Sequence, residues 1–275
     1  LGYDHVFYVK LASGAVFSFL LSKGNEKIVH RTINHILLDG PSLRSYRHFP
    51  NVGKRKSWAA ADASKRGIEL AKISQLNDEV YCSIQDDKNW GFEKNYLNDS
   101  EIKFGKELND WVIQNVLFKV LFPAEFHGQS AVEGAIKLSK EFNQNIDKVK
   151  KINIFTHEPA IRIIANKENL SNASDRDHSL EYMVSAALLF GELKYEMYGN
   201  DFSGLNKIES LRKKIVVSED SNFTKNYYEF SKRHISNSIE IVYDDNSTSE
   251  KITIENPIGH PSRSCLLYTS DAADD

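Results

Sequence analysis

Cysteine is nearly missing from this 275-residue chain, and the two that occur, Cys82 and Cys265, stand far apart with no CxxC pair. That pattern supports neither a zinc site nor a cysteine-ligated iron–sulfur cluster, and it makes a reducing compartment the default. Long apolar runs are missing too. The longest, Ala15 to Leu21, is interrupted by serine and flanked by Lys10 and Lys23. It is too short to span a bilayer and reads as a buried helix. No sign of charge dominates: 35 Lys and Arg stand against 38 Asp and Glu, a net charge of −3 with pI near 6.3. No global field therefore draws the chain to nucleic acid or to an anionic membrane, and any anion site must be local. The signatures GxGxxG, Walker A, HExxH and GxSxG do not occur, so nucleotide, zincin and hydrolase-elbow chemistry lack support. No initiator methionine or basic n-region opens the chain, which places the expected N-terminus upstream and leaves the compartment unread from this end.

What is present is enough apolar material, 41% hydrophobic with 27% charged, for one large domain or two smaller ones. Residues recurring at helical spacing (Phe7, Leu11; Ile28, Thr32, Ile36) predict helices over 4–22 and 25–38, with Gly24 and Gly40 as stops. A loop, PSLRSYRHFPNVG, precedes a third helix, WAAADASKRGIELAKI, for which Ser57 is the expected N-cap. Its small residues (Ala59, Ala63, Gly67, Ala71) predict close helix packing. The polar stretch 75–105 is expected to form loops around the apolar patch VYCSI. Beyond Pro123 a helix with Val132, Ile136 and Leu138 inward is expected, then strands at KINIFTH and AIRIIAN. A helix ending at Gly191, a strand at KIVVSED and a hairpin setting Ile239, Ile241 and Tyr243 against Ile252 and Ile254 complete the pattern. An all-helical first part thus meets a second part that mixes strands and helices. The expected division is 1–115 for the helical domain and 116–258 for the mixed one, with 259–264 beginning a returning helical segment. The run CLLYTSDAADD, residues 265–275, resembles a translated adaptor and is set aside as non-native.

Four clusters invite chemistry, and each has a structural alternative. His5, in the first turn of a helix, has its neutral form favoured by the helix dipole, which suits a general base; equally, Asp4 is a cap and His5 its satisfied neighbour. Lys54, Arg55 and Lys56 stand against a helix N-terminus that already carries partial positive charge. An anionic ligand would reconcile them with their position, and so would a solvated loop. Lys119, Glu125 and His127 surround a proline turn and form either acid–base machinery or a structural turn. In DRDHSLEYM, Asp175 and Asp177 are explained by capping, and Tyr182 lies one turn beyond His178 as a proton-transfer candidate or a core residue.

Read together and in order, YDHVFYVKLAS, RKSWAAADASKRG, LFKVLFPAEFHGQSAVEGA and DRDHSLEYMVSAALLFG resemble the MmgE/PrpD family, in its branch that dehydrates 2-methylcitrate. SYRHFPNVGKRKSWAA and NPIGHP extend the likeness over residues 1 to about 263. The resemblance implies a mainly α architecture with an α+β lid domain, a two-domain plan. It implies His5, Lys56, Lys119 and Tyr182 as catalytic residues, with His127, Arg176 and His178 on the pocket wall. Lys56 and Lys119 would bind substrate carboxylates and stabilise an enolate-like transition state, while His5 and Tyr182 transfer or orient protons. It implies no metal and no cofactor, a small tricarboxylate substrate, a homodimer, no nucleic-acid or membrane partner, and a mitochondrial or cytoplasmic location. A cis-aconitate decarboxylase-like lyase and a non-catalytic anion-binding or assembly homologue are the alternatives. The family's upstream helical segment and closing helical stretch have no counterpart here, so the resemblance also implies a fragment, inactive alone.

Overall fold

The helical spacing of the first part is realised as α1 (Val6–Leu21), α2 (Glu26–Asp39), α3 (Arg55–Leu76) and a short α4 (Phe92–Leu97). The computed structural model describes residues 3–48, 50–76, 84–103, 117, 119–142, 146–165 and 169–263. The chain divides into two units, Leu1–Leu108 and Asn109–Asp275. The boundary expected near residue 116, the patch over 80–83 and the tail 265–275 lie outside the described residues.

In the first unit, Asn25 caps α2 by accepting from the Lys27 amide at 3.1 Å. Gly24 and Gly40 take positive φ values of 83° and 64°, where a side chain would be strained. Close packing of α3 comes about through glycine: a Cβ on Gly67 would stand 2.4 Å from the Lys10 carbonyl oxygen and 3.0 Å from the Gly14 nitrogen. The backbones of α1 and α3 therefore touch at Gly14 and Gly67. Phe7, Ile36, Leu37, Leu70 and Phe92 form the small core beside this crossing, each fully buried apolar side chain contributing about 1.5–3 kcal/mol. Ser57 is the third residue of α3 rather than its cap, because the Gly53 and Lys54 carbonyls already accept the Lys56 and Ser57 amides at 3.1 and 3.0 Å. The polar stretch holds α4 where only loops were expected: Phe92 stacks on Phe7 at 5.3 Å and meets Tyr96 at a tilt, 5.0 Å between centroids, a tertiary anchor too short to show as a period.

The second unit orders its strands β2-β1-β3-β4, where β1 is Val149–Thr156, β2 Ile215–Glu219, β3 Asn237–Tyr243 and β4 Ile252–Ile254. β1 pairs parallel with β2 and antiparallel with β3, and β3 pairs with β4 through Ile239 opposite Ile252. The expected hairpin thus forms. Helix α5 (Gln129–Ser139) lies on β3 and β4 and against the helix Leu180–Phe190. Val132, Leu138, Ile152, Ile154, Ile239 and Met183 meet in the core between them.

AIRIIAN is not a strand. Glu158–Ile164 is α6, with Pro159 in its first turn and Ala160 and Ile164 buried one turn apart, so the same apolar run satisfies a helix that proline can start. The remaining helices are α7 (Ala173–Arg176), α8 (Leu180–Phe190), which ends at a left-handed Gly191, α9 (Leu205–Arg212) and α10 (Ser221–Tyr228). Over 258–263 the chain runs in turns. Arg263 holds those turns to α5 through a two-pronged ion pair with Glu133 at 2.7 and 2.8 Å.

Candidate active site

In the first unit, His5 occupies the N-cap position of α1, but Asp4 supplies the side-chain acceptor for the helix's first amide. Its buried carboxylate accepts from the Val6 amide at 3.0 Å and from Arg47 Nε at 2.6 Å. Burial alone would raise the Asp4 carboxyl, but Arg47 and the Val6 amide outweigh it and hold the group at about 2. His5 keeps 56% of its side chain exposed, with Nδ1 3.4 Å from Asp4 Oδ1. What burial it has, and then the Arg47 charge, push it below the ordinary histidine value while Asp4 pulls the other way, so the ring is neutral near neutrality.

The basic cluster separates on α3. Lys54 is exposed in the preceding turn, and Lys56 is half-buried at the second helical position. Arg55 stays partly exposed to solvent, yet its guanidinium lies over Trp58 at 4.5 Å and Tyr46 at 5.3 Å and reaches toward Asp62 at 3.8 Å. Arg55 also lines a cavity of about 210 Å³ with Lys10, Asp39, Asp62 and Arg66. There Asp39 receives both Lys10 at 2.7 Å and Arg66 at 2.9 Å, and the lining sets three cations against two carboxylates.

In the second unit the proline turn places Glu125, His127 and Lys119 in one neighbourhood. Gln129 Nε2 donates to the Phe122 and Ala124 carbonyls at 2.9 and 2.8 Å and pins the turn around Pro123. Asn237, at the start of β3, donates to the His127 carbonyl at 3.0 Å. Glu125 serves both readings of this cluster. It accepts from the His127 amide at 2.8 Å as a cap, and its oxygens lie 2.9 and 3.0 Å from His127 Nδ1. Burial would raise Glu125, yet the bonds to His127 and then the charge of exposed Lys119 keep it below the ordinary range. In a neutral ring the proton therefore sits on Nδ1, leaving Nε2 to accept from the Tyr227 hydroxyl at 3.2 Å. His157 stacks on Tyr227 with centroids 4.8 Å apart and stands 5.4 Å from His127. It is fully buried, and burial followed by the neighbouring His127 pushes it down to about 4. A cavity of about 370 Å³ opens beside this group, lined by His127, Tyr227, Phe230 and Arg233 among others.

The remaining expected residues lie elsewhere in the unit. Tyr182 is 2% exposed, donates its hydroxyl to the Met197 carbonyl, and is pushed up by burial to about 12. Arg176 is buried and donates to the Tyr198 carbonyl at 2.7 Å and to Asn200 Oδ1 at 2.8 Å. Both clamp the turn over 195–200, which is structural work in this geometry. His178 Nδ1 pairs with Asp177. Ser179 caps α8 by accepting from the Tyr182 amide at 3.2 Å, and Asp175 completes a capping box with Asn172. Among the described residues no group of three or more His, Cys, Asp or Glu converges to hold a metal.

The sequence profile of the MmgE/PrpD N-terminal domain matches residues 1–105, and that of the C-terminal domain matches residues 122–265. The chain belongs to the MmgE/PrpD family. It is 40% identical over 266 residues to the 2-methylcitrate dehydratase of Salmonella typhimurium, covering 96% of this chain and 55% of that protein. It is similarly 40% identical to the protein of Yarrowia lipolytica named 2-methylcitrate dehydratase, mitochondrial, covering 96% and 51%. To the probable 2-methylcitrate dehydratase of Saccharomyces cerevisiae it is 37% identical, covering 96% and 52%. The chain thus spans about half the length of the curated relatives it matches.

Within this MmgE/PrpD chain, sequence reading missed two side chains of the second-unit cluster, His157 and Tyr227. His157 is the single residue between β1 and α6, and Tyr227 lies on a helix 100 positions from its partner His127. No spacing rule links them, and only the packing of β1, α10 and the proline turn brings them together.

Proposed function

We propose that this sequence is part of a hydro-lyase that dehydrates 2-methylcitrate to 2-methylaconitate in propionate breakdown. The observation that carries the reading is the 37–40% identity, across 96% of the chain, to bacterial and yeast proteins named 2-methylcitrate dehydratase. The reaction takes a proton from a carbon next to a carboxylate and expels a hydroxyl. It needs a base, an acid and cations matched to carboxylates. In the second unit the Glu125–His127 pair is built for proton transfer, and exposed Lys119 is free in position to meet a carboxylate. In the first unit, Lys56 at the start of α3 is the proposed carboxylate ligand and the neutral His5 ring the proposed proton acceptor or hydrogen-bonding partner. Arg176 and Tyr182 support the turn over 195–200 of the second unit, and His178 keeps the proposed role of a wall residue oriented by Asp177.

In this proposal lysines and an imidazole–carboxylate pair supply the charge and the proton transfer that the elimination asks for, with no metal or cofactor. A homodimer and a mitochondrial or cytoplasmic location belong to the same proposal; the name of the Yarrowia relative supports the former compartment. The test is the complete protein containing this sequence, purified and offered 2-methylcitrate, citrate and cis-aconitate. Unsaturated product is followed by absorbance, and released CO₂ is measured. Formation of 2-methylaconitate supports the dehydratase. Turnover of cis-aconitate alone, with CO₂, would replace it by a decarboxylase, and anion binding without any turnover by a non-catalytic homologue.

A further inference from the structure

The phenol that the motif pattern singles out, Tyr182, has its hydroxyl turned into the core and bonded to the Met197 carbonyl. A different phenol stands at the end of a proton path. We propose that Tyr227 is a catalytic residue, the cavity-facing end of a Glu125–His127–Tyr227 chain that moves the protons of the dehydration; this rests on the dehydratase reading.

Three observations carry the assignment. The chain is continuous: Glu125 lies 2.9 Å from His127 Nδ1, and His127 Nε2 lies 3.2 Å from the Tyr227 oxygen. Tyr227 and His127 both line the cavity of about 370 Å³, a size within the ~300–1,000 Å³ range of small-molecule sites. Finally, the Tyr227 ring is fixed by its stack on His157, 4.8 Å between centroids and 15° between planes. A phenol held this way aims its oxygen without losing rotamer freedom during the reaction. Arg233 stands on the same wall. Its carbonyl accepts from His260 Nε2 at 3.0 Å, so the NPIGHP turn anchors the loop that carries this cation. Burial keeps His157 neutral, and a neutral neighbour does not oppose positive charge arriving on His127.

The step balances with no added reactant. The proton on the carbon next to a carboxylate passes to the Tyr227 oxygen as the phenolic proton passes to His127 Nε2. The electron pair of the broken C–H bond is held as an enolate-like charge. His127 becomes an imidazolium paired with the Glu125 carboxylate. When the C–O bond breaks, its electron pair leaves with the oxygen and the carbon–carbon double bond forms. The proton then returns along the same path from Tyr227 to the departing hydroxide, releasing water and restoring the starting state.

The test compares wild type, Tyr227→Phe, His127→Gln and the double variant in the complete protein containing this sequence, with kcat and KM measured on 2-methylcitrate. Tyr227→Phe keeps the ring and its stack, so the expected result is a kcat lowered about 10²-fold or more with KM changed only a few-fold. The double variant is expected to lose no more than the worse single one, because links of one chain fail together. Turnover of Tyr227→Phe within about threefold of wild type, or losses that multiply in the double variant, overturns the assignment. If Tyr227→Phe does not fold, 3-fluorotyrosine at position 227 keeps shape and hydrogen bond while acidifying the phenol. An unaltered kcat there overturns the assignment as well. A wild-type protein that leaves 2-methylcitrate untouched overturns the dehydratase reading itself, an outcome seen before any variant is compared.

Discussion

Replacing Gly67 by alanine tests how the first unit is held together. The added Cβ would lie 2.4 Å from the Lys10 carbonyl oxygen, 3.0 Å from the Gly14 nitrogen and 3.3 Å from the Gly14 Cα. Ordinary contact lies near ~3.5 Å, so α1 and α3 must part by about 1 Å, and rigid backbone on both sides leaves no side chain to swing away. With backbone as the close neighbour, overpacking falls in the upper part of its usual range, about 2–3 kcal/mol, while alanine returns about 1 kcal/mol of helix propensity, leaving a net loss of about 1–2 kcal/mol. Gly14→Ala is the internal control. Its nearest neighbour, at 2.5 Å, is Cδ1 of Ile36, the far end of a flexible side chain, with the Gly67 carbonyl at 3.1 Å. That variant should lose less. Urea unfolding followed by circular dichroism should show the midpoint of Gly67→Ala lowered by about 0.5–1 M. Amide exchange on α1 and α3 peptides would localise the loss. A Gly67→Ala protein at least as stable as wild type, or a Gly14→Ala protein that loses more, refutes the crossing.

Asp4 is held at about 2 instead of 3.8. A folded value below the unfolded one gives stability that is full above the ordinary carboxylate value and lost as pH falls through about 2. Asp4→Asn is therefore expected to cost about 2 kcal/mol at pH 7, a difference that fades by about pH 2, and a difference independent of pH in denaturant titrations would refute it. Tyr182→Phe leaves the Met197 carbonyl without its donor and should cost about 1–3 kcal/mol in thermal or urea unfolding while turnover of folded protein stays within a few-fold. A kcat loss of orders of magnitude would return Tyr182 to the chemistry. Lys56→Met, in the complete protein, should lower turnover about 10²–10³-fold with the melting curve preserved, whereas near-normal turnover would leave Lys56 as a helix-end cation only.

Periodicity was enough for the two opening helices, for α8 with its Gly191 stop, and for the hairpin that sets Ile239 opposite Ile252. In α2, α8 and the hairpin, the local pattern and the tertiary burial ask for the same residues, whereas the run Ala15 to Leu21 of α1, expected to be buried, leaves Val16, Phe19, Leu20 and Leu21 exposed. Where they part, the sequence misleads. AIRIIAN is apolar enough for a strand or a helix, and Pro159 together with burial of Ala160 and Ile164 decides for a helix. Ser57 has the chemistry of a cap, but the Gly53 carbonyl starts α3 one turn earlier.

The candidate residues divide in the same way. By itself the sequence determined the family, the mixed helical and strand plan, and the association of Lys119, Glu125 and His127 around one proline turn. These rest on order and on spacings of a few residues, which chain geometry transmits directly. Tertiary structure alone decided that Arg55 lies between aromatic rings, that the Tyr182 hydroxyl faces Met197, and that His157 and Tyr227 stand against His127. Those contacts join residues up to 100 positions apart. What sets them is which helix lies on which strand, a choice made by burying the whole core at once and written in no local stretch of the chain.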